Sequence, residues 1–212
     1  LTKRWLIMIA AKDDFPKLTL EEYFTWEEKQ TDKHEYIDGR IYAMSGGSVT
    51  HGRIAIRFTA MFASHLDGSS CIPGNSDIKV NIFGTNNYTY PDASVTCDER
   101  DKNAVNYFTH PCLIVEVLSE STEAYDRGGK FRMYRNNPML QDYLLVSSTR
   151  IEMDLYHKKD TGEWIILNYQ EGDVIELKSI NLKFPIEQVY RNLTLASEAW
   201  VDLCILRIYE HR

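Results

Sequence analysis

The sequence predicts one α/β (α+β) domain, a mixed β-sheet core flanked by helices with an added β-hairpin region. Three observations predict it. Helical and strand patterns alternate along the chain, and the run from Cys112 to Leu118 is apolar except at Glu116, as in a central strand buried on both faces. No internal repeat and no Pro- or Ser-rich linker divides the 212 residues. A composition of 43% hydrophobic and 26% charged residues excludes intrinsic disorder, collagen-like repeats and a polytopic membrane protein.

The elements follow in order. Lys3 and Arg4 before an apolar stretch at 5–11 imitate a signal peptide, but Lys12, Asp13 and Asp14 follow at once, so residues 1–17 read as a tail and Met8 as an alternative start. Thr19 and Glu22 form a T-x-x-E capping box, which predicts a helix over 20–29. Asp38-Gly39 between two β-rich runs predicts a hairpin over 36–44. Beyond Gly46-Gly47-Ser48, Ile54, Phe58, Met61, Phe62 and Leu66 recur at helical spacing and mark one face of an amphipathic helix.

Strands are expected at 78–82, 89–96 and 112–118, followed by a helix over 122–136 that Pro138 ends. Residues 143–147 read as a second central strand, and 151–155 with 164–167 as a hairpin about Thr161-Gly162. The domain then spans 18–192. Residues 193–212 form an extension whose Trp200, Val201, Leu203, Ile205, Leu206 and Ile208 need an apolar surface to pack on.

Charge and cysteine usage bound the setting. A net charge of −7 argues against a long basic surface gripping nucleic acid, though a local basic groove is compatible with it. Cys71, Cys97, Cys112 and Cys204 are widely spaced, form no CxxC pair and are too few to staple a chain of this size. A reducing, cytoplasmic setting fits best, and no stretch reaches the roughly 18 apolar residues of a membrane helix.

The chemistry starts at Glu116. A carboxylate on a strand buried on both faces is costly, so its pKa rises or a cation, a donor network or a metal ion stands beside it. Taken alone, a structural glutamate and a functional one are equally good readings. Asp92, after Pro91 at the entry to a neighbouring strand, changes the balance, because adjacent strands bring the two acids together and paired oxygen ligands suit Mg²⁺. Lys130, on the helix leaving the Glu116 strand, either forms a surface i,i+4 pair with Asp126 or leans back toward the acids to stabilise negative charge.

Pro91-Asp92, Glu116-Val117-Leu118-Ser119, Asp126, Lys130 and Tyr134, in this order and spacing, resemble the signature of the putative restriction endonucleases within the PD-(D/E)XK nuclease superfamily. The resemblance runs over about 18–190 and takes in Glu35-Tyr36, Asp38-Gly39, His51, the segment 77–80 and Asp142-Tyr143-Leu144-Leu145-Val146. It implies a restriction-endonuclease-like core in which Asp92, Glu116 and the main-chain carbonyl of Val117 bind the metal. The family's lysine normally stands two residues after the glutamate; Leu118 is there, and Lys130 is the matching position on the next helix. Glu35 matches an upstream acid that serves as a further ligand. His51 is auxiliary, a helix-start or substrate-contact residue rather than a general base.

The resulting expectation is a Mg²⁺-dependent endonuclease, with Mn²⁺ as a substitute, that hydrolyses DNA phosphodiester bonds as a homodimer without a membrane partner. The alternative is a catalytically inactive nuclease-like module that dimerises or binds nucleic acid, which the net charge of −7 favours.

Overall fold

The computed structural model describes residues 17–44 and 46–195; the expectations for Met8, for most of the N-terminal tail and for the apolar residues from Trp200 onward lie outside the described residues. Helix α1 (Leu20–Glu27) opens on the predicted capping box, with the Thr19 side chain and the Glu22 carboxylate each satisfying the other's backbone N–H. A hairpin of β1 (His34–Ile37) and β2 (Arg40–Ala43) follows, and Asp38 and Gly39 both take positive φ, 51° and 79°, as its tight turn requires. Helix α2 (Val49–His65) starts at Ser48, whose hydroxyl accepts the His51 N–H, and buries Ile54, Phe58 and Phe62. Each of those side chains contributes about 1.5–3 kcal/mol by leaving water.

Short strands come next: β3 (Ile72–Asn75), β4 (Lys79–Asn81), β5 (Tyr88–Thr89), β6 (Ala93–Thr96) and β7 (Tyr107–Phe108). The central strand β8 (Pro111–Leu118) is buried at all eight positions. Behind it, α3 (Glu123–Tyr125) widens into a π-helical turn at Asp126–Lys130 and resumes as α4 (Phe131–Tyr134). The chain finishes with β9 (Asp142–Ser147), β10 (Glu152–Lys158), β11 (Trp164–Gln170), β12 (Val174–Leu177), β13 (Leu182–Pro185) and α5 (Glu187–Tyr190).

Six strands form the main sheet in the order β11-β10-β9-β8-β6-β3, mixed because β8 and β9 run parallel while the other neighbours are antiparallel. Its alternating side chains feed two cores. One face, with Val115 and Val117, packs under α2 and α5; the other, with Ile114 and Leu118, packs under α4 and Tyr143. A second sheet, β2-β1-β5-β4-β7, carries α1 on a cluster of Tyr23, Tyr36, Ile41 and Tyr88. This is the mixed-sheet, helix-flanked α+β architecture that the sequence predicts.

Two expectations are corrected. The single strand over 89–96 is two strands in two sheets, because Pro91 has no N–H to give to a ladder and the chain crosses from β5 to β6 around it. Cys71 and Cys97 are joined by a disulfide, which goes against the expectation of reduced cysteines. The reason is register: Ile72 pairs with Thr96, so the residues just outside that pair face each other, which spacing along the chain does not reveal.

Candidate active site

The site forms where the two sheets meet. In the pairing of β6 with β8, Ala93 stands opposite Val115, so Asp92, one residue before β6, arrives beside Glu116. Pro91 ends the preceding run and turns Asp92 out of the second sheet toward the β8 backbone. Its Oδ2 accepts the Val117 N–H at 2.7 Å, and its Oδ1 lies 2.8 Å from His51 Nε2. Each oxygen keeps a further lone pair, and among the described residues no arginine pairs with either acid.

Glu116 lies against the π-helical turn and α4, and is 3% exposed. Burial raises its pKa well above the usual carboxylate value; Lys130 opposes that rise, while Asp126, Asp92 and Glu35 add to it. Its Oε1 accepts from Lys130 Nζ at 3.2 Å and from the Tyr134 hydroxyl at 3.4 Å. The Tyr134 hydroxyl also shares a hydrogen bond of 2.6 Å with Thr89 on β5, which ties the helix to the second sheet.

Lys130 is the hub. Its ammonium stands 3.2 Å from Glu116, 3.3 Å from Glu35 and 3.4 Å from Asp126. Burial works against its charge, but the three carboxylates prevail and hold its pKa well above that of a free lysine. The i,i+4 pair with Asp126 is therefore real, yet it is buried with two further acids rather than exposed on a surface. Glu35, carried by β1, reaches the same ammonium and accepts weakly from the Tyr90 N–H at 3.4 Å.

His51 approaches from the first turn of α2. Burial opposes its imidazolium, and the Asp92 carboxylate outweighs that effect, so its pKa lies above the ordinary histidine value. The structure thus brings Glu35, His51, Asp92, Glu116 and Lys130 into one constellation, and Val117 enters it through its backbone.

Two members are not candidate site residues in the sequence, where Asp126 enters only as the i,i+4 partner of Lys130. Asp126 and Tyr134 belong to the spacing pattern, but their place beside Glu116 depends on the π-helical turn, whose only sequence signal is Gly128-Gly129. A Cβ on Gly129 would stand 2.5 Å from Tyr125 Cε2, so the edge of that ring lies against the glycine. Such wide turns recur at functional sites.

The donors fit a hard divalent cation. They are carboxylate oxygens, and Asp126 Oδ1 is buried without a hydrogen bond. Four carboxyl groups thus face two bases, Lys130 and His51. Among the described residues no three His, Cys, Asp or Glu side chains converge on one cation position, because the Lys130 ammonium holds the centre of its three acids. Nor is any helix among them long and apolar enough to cross a membrane.

The family model described as putative restriction endonuclease, Uma2, matches residues 20–187. The uncharacterized protein slr1290 of Synechocystis is 63% identical over 179 residues, covering 84% of this chain and 94% of that protein. A second Synechocystis protein, the uncharacterized sll1609, is 32% identical over 151 residues, covering 70% and 85%. A crystal structure of a putative nuclease from Anabaena variabilis aligns with a TM-score of 0.67 at 16% identity, covering 82% of this chain and 97% of that one, and shows that the fold is shared.

Proposed function

This chain belongs to the Uma2 family of putative restriction endonucleases, and from that premise we propose that it is a divalent-metal-dependent endonuclease that hydrolyses phosphodiester bonds in DNA. The observation that carries the proposal is the β6–β8 register, which sets Asp92 opposite Glu116, with a buried ammonium against Glu116. Asp92, Glu116 and the Val117 carbonyl would hold Mg²⁺, for which Mn²⁺ can substitute, and Glu35 is the further acid. The bound ion supplies Lewis-acid polarisation of the phosphoryl oxygen and an activated water.

The protein's own groups do the rest. His51 and the Val117 N–H fix both oxygens of Asp92, so that carboxylate is oriented before substrate arrives. Lys130 presents positive charge in a site with little water, where it stabilises the charge that develops on the phosphoryl oxygens. Glu35 and Asp126 hold that ammonium in place, and Tyr134 steadies Glu116. Cutting both strands at one place needs two such sites, so a homodimer is the expected working form.

The rival reading, an inactive dimerising or nucleic-acid-binding module, is favoured by the net charge of −7 and by the way Lys130 already neutralises Glu116. Cleavage of supercoiled plasmid with Mg²⁺ or Mn²⁺ separates the two. The expected result is nicking and linearisation that require the metal and fall at least about a hundredfold in Asp92→Ala and Glu116→Ala, on the scale of losing a transition-state electrostatic group. Binding without cleavage supports the module, and cleavage that survives both substitutions contradicts the mechanism.

A further inference from the structure

An ammonium has three hydrogens, enough to give one to each of three acids. Lys130 does not use them that way. Its contact with Glu116 is a hydrogen bond, whereas those with Glu35 and Asp126, at 3.3 and 3.4 Å, are ion pairs alone, and Asp126 Oδ1 is left buried without a hydrogen bond in a residue only 2% exposed. A buried carboxylate oxygen in a dry setting rarely goes without a donor, because the missing bond costs free energy. Asp126 is thus a berth at ion-pair distance that Lys130 uses only in part.

The neighbouring acids explain why. Glu116, Glu35 and Asp126 come from three elements, β8, β1 and the π-helical turn, and the single cation they share is the tip of a four-carbon stem with rotatable bonds. Small rotations of that stem redistribute the ammonium among them. Asp126 is carried four residues earlier on the same turn, so moving toward it keeps Lys130 close to its own backbone.

We propose that Lys130 is a displaceable internal counter-ion: in the metal-free protein its ammonium occupies the carboxylate nest, and when a divalent cation binds it yields Glu116 and Glu35 and pairs fully with Asp126. The inference rests on the metal-dependent reading above and adds to it a competition. Two cations cannot both take the same oxygens of Glu116, so the lysine weakens metal binding while protecting the acids from mutual repulsion without metal. Asp126 is the positioning residue that keeps the displaced ammonium beside the reacting phosphate.

The test is Mn²⁺ binding to the full chain, measured by calorimetry and by the electron paramagnetic resonance of free Mn²⁺. Wild type is compared with Lys130→Met, Lys130→Gln, Asp126→Asn and, as control, Glu116→Gln. Removing the competing charge is expected to tighten Mn²⁺ binding at least about tenfold in both Lys130 variants. Asp126→Asn, which removes the berth, weakens it at least about threefold, and Glu116→Gln weakens it most. The Lys130 variants also lose thermal stability without metal and regain more of it with Mn²⁺ than wild type does. Lys130→Gln keeps an N–H donor for Glu116 and serves should Lys130→Met not fold. Wild-type binding with unchanged or weaker binding in the Lys130 variants overturns the counter-ion role and leaves the metal-dependent reading standing; no binding by any of the proteins overturns that reading itself.

Discussion

The imidazole Nε2 of His51 stands 2.8 Å from Oδ1 of Asp92, whose other oxygen takes the Val117 amide at 2.7 Å. One carboxylate thus joins the start of α2, the entry to β6 and the last residues of β8, all at the edge of the carboxylate nest. The pair is partly buried, with His51 19% and Asp92 14% exposed, so solvent screens it only in part.

Breaking that pair is expected to lower stability. Asp92→Asn turns an amide NH₂ toward either the Val117 N–H or the imidazole, and a loss of about 1–3 kcal/mol follows from leaving a donor unmatched. His51→Gln loses a similar amount, and the double variant falls short of the sum by about 1 kcal/mol, since the two residues share one interaction. Urea unfolding of the four proteins measures this; strict additivity would show that the contact contributes nothing.

Within the π-helical turn, Gly129 leaves room for the Tyr125 ring. Gly129→Ala is expected to destabilise the protein by about 1–3 kcal/mol, because the new methyl group meets the half-buried Tyr125 ring. Tyr125→Ala should restore most of that loss, which a double-mutant cycle by thermal unfolding reads directly. A neutral Gly129→Ala would mean that the ring moves aside freely.

Cys112 should be inert while the protein is folded. Burial pushes its thiol up to about 12. The reactive thiolate is then only about one part in ten thousand at pH 8 and becomes appreciable only as the pH nears that value, whereas an unfolded cysteine ionises near 8.5. Iodoacetamide at pH 8 is expected to spare Cys112 in the native protein and modify it rapidly in urea, with peptide mapping as the readout. The same map should show Cys71 linked to Cys97. Rapid native labelling of Cys112 contradicts the packing.

Much of this architecture is legible in the sequence because local rules suffice for it. The Thr19–Glu22 box, the Asp38-Gly39 turn and the spacing of Ile54, Phe58 and Phe62 each specify their own element. Glu116 is conspicuous for the same reason, a charge within an otherwise dry strand. What is not legible is long-range. The short strand β3 has a Pro-Gly core without alternation, and only pairing with β6 makes it a strand. The link between Cys71 and Cys97 follows from that register as well.

The site shows the same division. Asp92 and Glu116 can be placed together by supposing that their strands are neighbours, but the meeting of Glu35 with Lys130 needs the second sheet folded against the helix. Periodicity predicts an ordinary helix over 122–136; the widened turn at Asp126–Lys130, which sets both side chains at the nest, breaks that period. Tyr134 likewise gains its part through two distant partners, Glu116, 18 residues away, and Thr89, 45 residues away.

The most direct measurement is an anomalous-scattering map from a crystal of this protein soaked in Mn²⁺. The account predicts one strong peak within ligand distance of a carboxylate oxygen of Asp92, a carboxylate oxygen of Glu116 and the carbonyl of Val117, with Lys130 Nζ displaced toward Asp126. A map with no manganese between Asp92 and Glu116, and Lys130 still seated against Glu116, would contradict it.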